Sequence, residues 1–163
     1  MLMIALNVKP NYVCLVPEKR KEITTEGGLS LKKNFKNLKK ILTTLKKKNI
    51  RTSLFIDPTI ENIKKAKELG ANCVELHTGK FCHLINNKKN YKNELIKIKN
   101  CANFGNSIGM DIHAGHGLNY SSTKKIVKIK YINELNIGHF IISNSIFYGL
   151  KKVIGNFKKI LNK

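Results

Sequence analysis

Short runs rich in Val, Ile and Leu, each followed by a segment of helical period, constrain this chain more than any other feature. The runs fall at Tyr12–Val16, Thr52–Ile56, Cys73–Leu76, Met110–His113 and Leu135–Ile137. Phe35, Leu38, Ile41, Leu42 and Leu45 mark one helical face, with lysines opposite. Ile60, Ile63, Ala66 and Leu69 mark a second, and Gly70 stands where a helix C-terminus favours a left-handed residue. Tyr91, Leu95, Ile98, Cys101 or Ala102, and Ile108 line a third, which Gly105 is expected to break. A fourth helix is expected over Ser122–Ile132, a closing one over Lys151–Leu161 and a short one over residues 1 to 9. The segment KFCHLINNKKN (80–90) reads as a mobile loop. Strands alternating with amphipathic helices build parallel sheets, because a parallel connection needs a crossover long enough to hold a helix. No Pro-, Gly- or Ser-rich linker interrupts the pattern, so one α/β domain is expected over residues 1–163.

The polar motifs stand at the strand ends: PEKRKEITTEGG, FIDPT, ELHTG, HAGHG and NIGH. Chemistry gathered at the C-terminal ends of parallel strands belongs to (β/α)8 barrels and to open doubly wound sheets alike. In DIHAGHG (111–117), His116 between two glycines offers an imidazole where the backbone can approach a ligand. An imidazole suits proton transfer near neutral pH, against the plainer reading of a capping or core-lining histidine. In NIGHF (136–140), a glycine between a strand and a helix start leaves free N–H groups for an anion. In VELHTG (74–79), strand alternation puts Glu75 and His77 on one face and Val74 and Leu76 on the other. The apolar pair belongs under the helices, so Glu75 points to the inside of the sheet. A carboxylate there is costly unless it is paired or used. His77, Cys82 and His83, or His113 and His116, match no zinc spacing with an obvious four-ligand set, so no metal is expected.

Charge bears on the possible partners. The formal net charge is +21, from 31 basic and 10 acidic residues, which in general favours an anionic partner. Here only Arg20 and Arg51 are arginine, and the lysines are dispersed over helical outer faces without interleaved aromatic residues. That pattern is a solvated surface, in a composition that AT-rich coding favours, rather than a nucleic-acid site. Cys14, Cys73, Cys82 and Cys101 form no CxxC pair, and MLMIALNV is too short for a signal peptide or a membrane span. The expectation is a soluble cytoplasmic protein with neither nucleic acid nor membrane as partner.

In order, LVPEKRKEITTEGG, SLFID, VELHTG, HAGHGL and ELNIGH resemble the pyridoxine 5'-phosphate synthase family of vitamin B6 biosynthesis, along the whole chain. The resemblance implies a (β/α)8 TIM barrel. Its reaction condenses 1-deoxy-D-xylulose 5-phosphate with 3-amino-2-oxopropyl phosphate to pyridoxine 5'-phosphate, releasing phosphate and water, with no cofactor. It implies cytoplasmic homo-octamers. By motif, His116 would be the general acid and Glu75 would steady charge in the transition state. Thr24 would bind the deoxyxylulose phosphate, and Gly117, Gly138 and His139 the amino-oxopropyl phosphate.

The departures are as informative. The family's first three strands carry an Asn, an Asp-His pair, a catalytic His with an Arg, and a catalytic Glu. None has a counterpart here, because Met1 aligns inside the helix after the third strand. His113 stands where the family commonly has Asn, and Ser143–Asn144 replaces a Gly-Arg pair. The expectation is therefore an incomplete barrel of about five parallel strands with flanking helices, inactive alone. A late start or split gene, an upstream fragment supplying strands one to three, or a decaying remnant would each account for it. The alternatives from other classes are a basic nucleic-acid-binding module and a non-catalytic subunit that docks on a complete barrel.

Overall fold

The computed structural model describes residues 1–17 and 27–162. Five strands form one sheet: β1 (Tyr12–Leu15), β2 (Arg51–Ile56), β3 (Cys73–His77), β4 (Asp111–Gly115) and β5 (Ile132–Asn136). They lie side by side in chain order and every pairing is parallel. The described helices are α1 (Leu2–Val8), α2 (Phe35–Lys46), α3 (Ile60–Leu69), α4 (Gly79–Asn86), α5 (Lys92–Ser107), α6 (Tyr120–Ile126), α7 (His139–Tyr148) and α8 (Leu150–Leu161). This is the arrangement of successive βα units of a barrel, with β1 and β5 as its two edges.

Register explains where the core sits. Leu54, Val74 and Ile112 lie abreast on β2, β3 and β4, and Ile56, Leu76 and Ala114 lie abreast one step further. All six face the helices and join Leu38 and Leu42 of α2, Ile63, Ala66 and Leu69 of α3, and Ile98 and Cys101 of α5 in one cluster. The alternate residues form the opposite, polar face of the sheet. The ends of α3 follow from its sequence: Thr59 accepts a hydrogen bond from the Asn62 N–H at 3.2 Å, and Gly70 closes the helix at φ +86.

Four expectations need correction. Residues 80–90 are mostly helix, since α4 runs to Asn86 and buries Phe81 and Cys82. The third helix is unbroken through Gly105; a Cβ there would come within 2.2 Å of Ile112 Cδ1, so glycine serves a close helix-to-sheet contact. The fourth helix starts at Tyr120, where Asn119 and Ser122 form a capping box, and stops at Ile126. The last strand accordingly starts at Ile132, three residues earlier than its apolar core suggests, because its edge position tolerates Asn133 and Glu134.

Apolar side chains left uncovered are concentrated on α1, which precedes β1, and on α7, which follows β5. Met3, Ile4 and Val8 are exposed on α1, and Ile142, Ile146, Phe147 and Tyr148 on α7. Neither helix has a buried residue. No described helix is long and apolar enough to cross a membrane.

Gly105→Ala is expected to destabilise the chain by about 1–3 kcal/mol through overpacking against Ile112. Urea denaturation followed by far-UV circular dichroism measures this, and an unchanged midpoint would show that Ile112 yields freely.

Candidate active site

The polar face of the sheet is built in levels. At the N-terminal ends of the strands, Arg51 pairs with Asp111 across β3. Above them the Tyr12 hydroxyl lies 3.2 Å from Cys73 Sγ and 3.2 Å from His113 Nδ1. The same nitrogen lies 3.3 Å from Glu134 Oε1. Burial lowers the proton affinity of His113 and raises that of the Tyr12 hydroxyl. Position 113 is therefore occupied by a buried imidazole with two polar neighbours, not by a group open to a ligand.

Glu75 stands one level higher. It is 8% exposed; its Oε2 accepts a hydrogen bond from Asn136 Nδ2 at 2.7 Å and faces Cys14 Sγ at 3.6 Å. Gly115 makes room for it, because a Cβ at that position would meet Glu75 Oε1 at 2.1 Å. A bulge between β4 and β5 sets the register from His113 onward, so that Glu134 lies opposite His113 and Asn136 opposite Gly115. Asn136 thereby reaches Glu75 two strands away. Burial raises the Glu75 carboxyl above the usual carboxylate range, and the Asn136 hydrogen bond offsets this in part. Burial and the neighbouring Glu75 charge push the Cys14 thiol up to about 12.

At the C-terminal ends of the strands a pocket of about 470 Å³ opens. His116, Gly117, Asn136, Gly138, His139 and Ser143 are among its walls. His116 has φ +78, a left-handed conformation that a non-glycine residue holds at a cost. Its imidazole is held less basic than usual by burial, then by the nearby rings of His77 and His139. Gly138 precedes α7, whose first turn has no described side-chain cap, and Gly138 and His139 line the pocket, so the free N–H groups of that turn lie beside it. A Cβ on Gly138 would meet nothing within 4 Å, and its φ of −108° is ordinary. Nothing in the fold itself therefore requires glycine at position 138.

Four of the six residues singled out from sequence, His116, Gly117, Gly138 and His139, are thus brought together around one pocket. Glu75 lies beneath it, linked through Asn136, which lines the pocket. Thr24 lies outside the described residues. Among the described residues that follow it, Gly28 N–H donates to Asp57 Oδ1 at 3.0 Å, and a Cβ on Gly28 would come within 2.2 Å of the Asp57 nitrogen. His77, Cys82 and His83 do not converge, since Cys82 Sγ faces Thr78 and His83 faces Asn87. Sequence reasoning missed Asn136 and Asp57. Both were inside quoted motifs, but only the tertiary structure gives them partners: Glu75 two strands away for Asn136, and His77 on the neighbouring strand together with Gly28 for Asp57.

A buried carboxyl with a raised pKa is penalised only while ionised. Below the ordinary carboxylate range both folded and unfolded chains carry the proton and the penalty is absent. It grows as pH rises through the ordinary value and is complete above the raised folded value. Glu75→Gln is therefore expected to stabilise the chain at pH 7 by on the order of 1 kcal/mol, with the gain gone near about pH 3. Denaturation midpoints at both pH values check this; an equal gain at both would remove ionisation as the cause.

Residues 1–163 match the family described as "Pyridoxal phosphate biosynthesis protein PdxJ". A pyridoxine 5'-phosphate synthase of Pelagibacter ubique (strain HTCC1062) is 59% identical over 160 residues, covering 98% of this chain and 67% of the relative. Synthases of the same name from Prochlorococcus marinus strains AS9601 and MIT 9312 are each 47% identical over 161 residues, covering 99% of this chain and 67% of theirs. The chain spans about two thirds of the length of these curated relatives.

Proposed function

The chain belongs to the PdxJ family of pyridoxal phosphate biosynthesis, a family of enzymes, and from that premise we propose that it forms the phosphate-binding and acid-bearing part of a pyridoxine 5'-phosphate synthase. The reaction would join 1-deoxy-D-xylulose 5-phosphate to 3-amino-2-oxopropyl phosphate and close the pyridine ring, with loss of inorganic phosphate and water. The observation that carries the reading is His116 on the wall of a pocket whose far side is the uncapped start of α7. A phosphate seated against Gly117, Gly138 and His139 would bring its leaving oxygen and adjacent carbons toward the His116 ring. His116 then serves as the general acid, giving its proton to a departing oxygen. Without ligand, His116 is held poorly basic by burial and by two other imidazoles. A bound phosphate dianion reverses that balance and favours the protonated ring. The acid is thus charged by the substrate it acts on. Glu75, beneath the pocket, balances positive charge that develops on the nitrogen-bearing carbon skeleton, and Thr24 holds the second phosphate.

Five parallel strands do not close an eight-strand barrel. Edges β1 and β5 and the apolar surfaces of α1 and α7 would be covered by a polypeptide carrying three further βα units, joined to this chain or separate. The relatives' extra third of length is of the order that about three further βα units need. Family members assemble as cytoplasmic homo-octamers, and the same is proposed for the completed barrel.

Two measurements test the reading. The purified 163-residue chain is expected to give no pyridoxine 5'-phosphate from the two substrates, and a three-unit N-terminal segment of a family member, added or fused, is expected to restore turnover. In the restored enzyme His116→Asn should lower kcat by roughly 10²–10⁴-fold. Turnover by the chain alone would overturn the need for the further units. Separately, inorganic phosphate is expected to raise the titration midpoint of His116, read by its imidazole NMR shifts; an unmoved midpoint at saturating phosphate would remove the pocket as a phosphate site.

A further inference from the structure

The turn that ends β3, His77–Thr78–Gly79, is remote from His116 in sequence, yet each of its residues bears on that imidazole. Thr78 is fully buried, and its Oγ1 lies 2.6 Å from the His116 carbonyl oxygen and 2.8 Å from that of Gly115. Its single hydroxyl proton is shared between the two, while its N–H donates to Gly115 O at 2.9 Å. Cys82 Sγ, 3.7 Å from the His116 carbonyl, adds a weaker contact from α4. These bonds fix the peptide that follows a residue held at φ +78. Such a conformation is costly for a residue that carries a Cβ and persists only where the surroundings over-determine it.

The ring is fixed by the other two residues. His77 and His116 have centroids 4.8 Å apart, tilted by 54°, with Phe55 against both. Gly79 makes that approach possible: a Cβ there would come within 2.6 Å of His77 Nε2 and 2.9 Å of His116 Cδ2. His77 is itself held from behind, with Nδ1 3.3 Å from Asp57 Oδ1, the atom that also accepts the Gly28 N–H. Its Nε2 is buried and has no hydrogen-bond partner among the described residues. A buried nitrogen left without a partner opposes folding, and this one borders the same small space as the His116 ring.

We propose that the His77–Thr78–Gly79 turn, braced by Asp57, is the positioning device for the imidazole of His116. Thr78 holds the backbone in its left-handed conformation, His77 is the surface on which the ring rests, and Gly79 keeps the space between them open. All four residues act through His116 and none needs to touch a ligand. Asp57 also couples the device to Gly28, because one carboxylate oxygen serves both Gly28 and His77. The proposal deepens the synthase reading, which supplies the reason for positioning this ring.

The test uses the 163-residue chain with isotope-labelled histidine, the His116 signals being assigned by their loss in His116→Asn. The titratable groups that face His116 are His77 on β3 and His139 on α7. In His77→Asn, which keeps a donor for Asp57 but removes the ring, the His116 midpoint is expected to rise. In Thr78→Val the His116 signals are expected to broaden or double as the ring samples several positions, and Thr78→Ser should restore the single set. Should Thr78→Val not fold, Asp57→Asn reads the same device from its far end and should also broaden the His116 signals. Wild-type shifts and midpoint for His116 in His77→Asn together with Thr78→Val or Asp57→Asn would overturn the proposal. No substrate enters the measurement, so its failure and that of the synthase reading are told apart.

Discussion

A parallel sheet has two faces, and the helices that connect its strands can cover only one of them. Here the covered face takes every large aliphatic side chain of the three central strands, Leu54 and Ile56, Val74 and Leu76, and Ile112. The other face holds the alternate residues, among them Tyr12, Ser53, Phe55, Glu75, His77 and His113. Most of the chemistry of this protein follows from that division. A carboxylate and two imidazoles are present on the inner face because alternation sends every second residue there, and they are tolerated because neighbours across the sheet satisfy them.

Those neighbours are mostly not adjacent in sequence. Asn136 reaches Glu75 from β5, Tyr12 reaches His113 from β1, and Asp57 at the end of β2 holds both Gly28 and His77. Small residues make the contacts possible. Gly115 stands where any side chain would displace the Glu75 carboxylate, and Gly79 where it would separate two imidazoles. The site is thus assembled by strand register and by missing Cβ atoms as much as by reactive groups. Its cost is visible in the strained backbone of His116 and in His77 Nε2, which has no partner among the described residues.

Much of this was legible in the sequence. The five strands, the faces of α2 and α3, the left-handed Gly70 and the inward direction of Glu75 follow from period and composition. The motifs HAGHG and NIGH pointed to one pocket, and His116, Gly117, Gly138 and His139 do line it. The errors share a cause. Gly105 reads as a helix breaker locally, but its neighbour in space is Ile112, seven residues on and in another element. KFCHLINN reads as a loop because its polar ends dominate, whereas burial of Phe81 and Cys82 makes it helix.

By itself, the sequence determined the alternation of strand and helix, the face on which each strand residue lies, and the residue types at the strand ends. Those depend on local geometry: a period of two, a period of 3.6 and the conformational freedom of glycine. Only the tertiary structure decided that Asn136 serves Glu75, that Asp57 ties a loop to His77, and that the turn after β3 cradles a histidine on β4. Such pairings depend on the register between strands and on one bulge between β4 and β5. A shift of a single residue would reverse every face without altering any local preference.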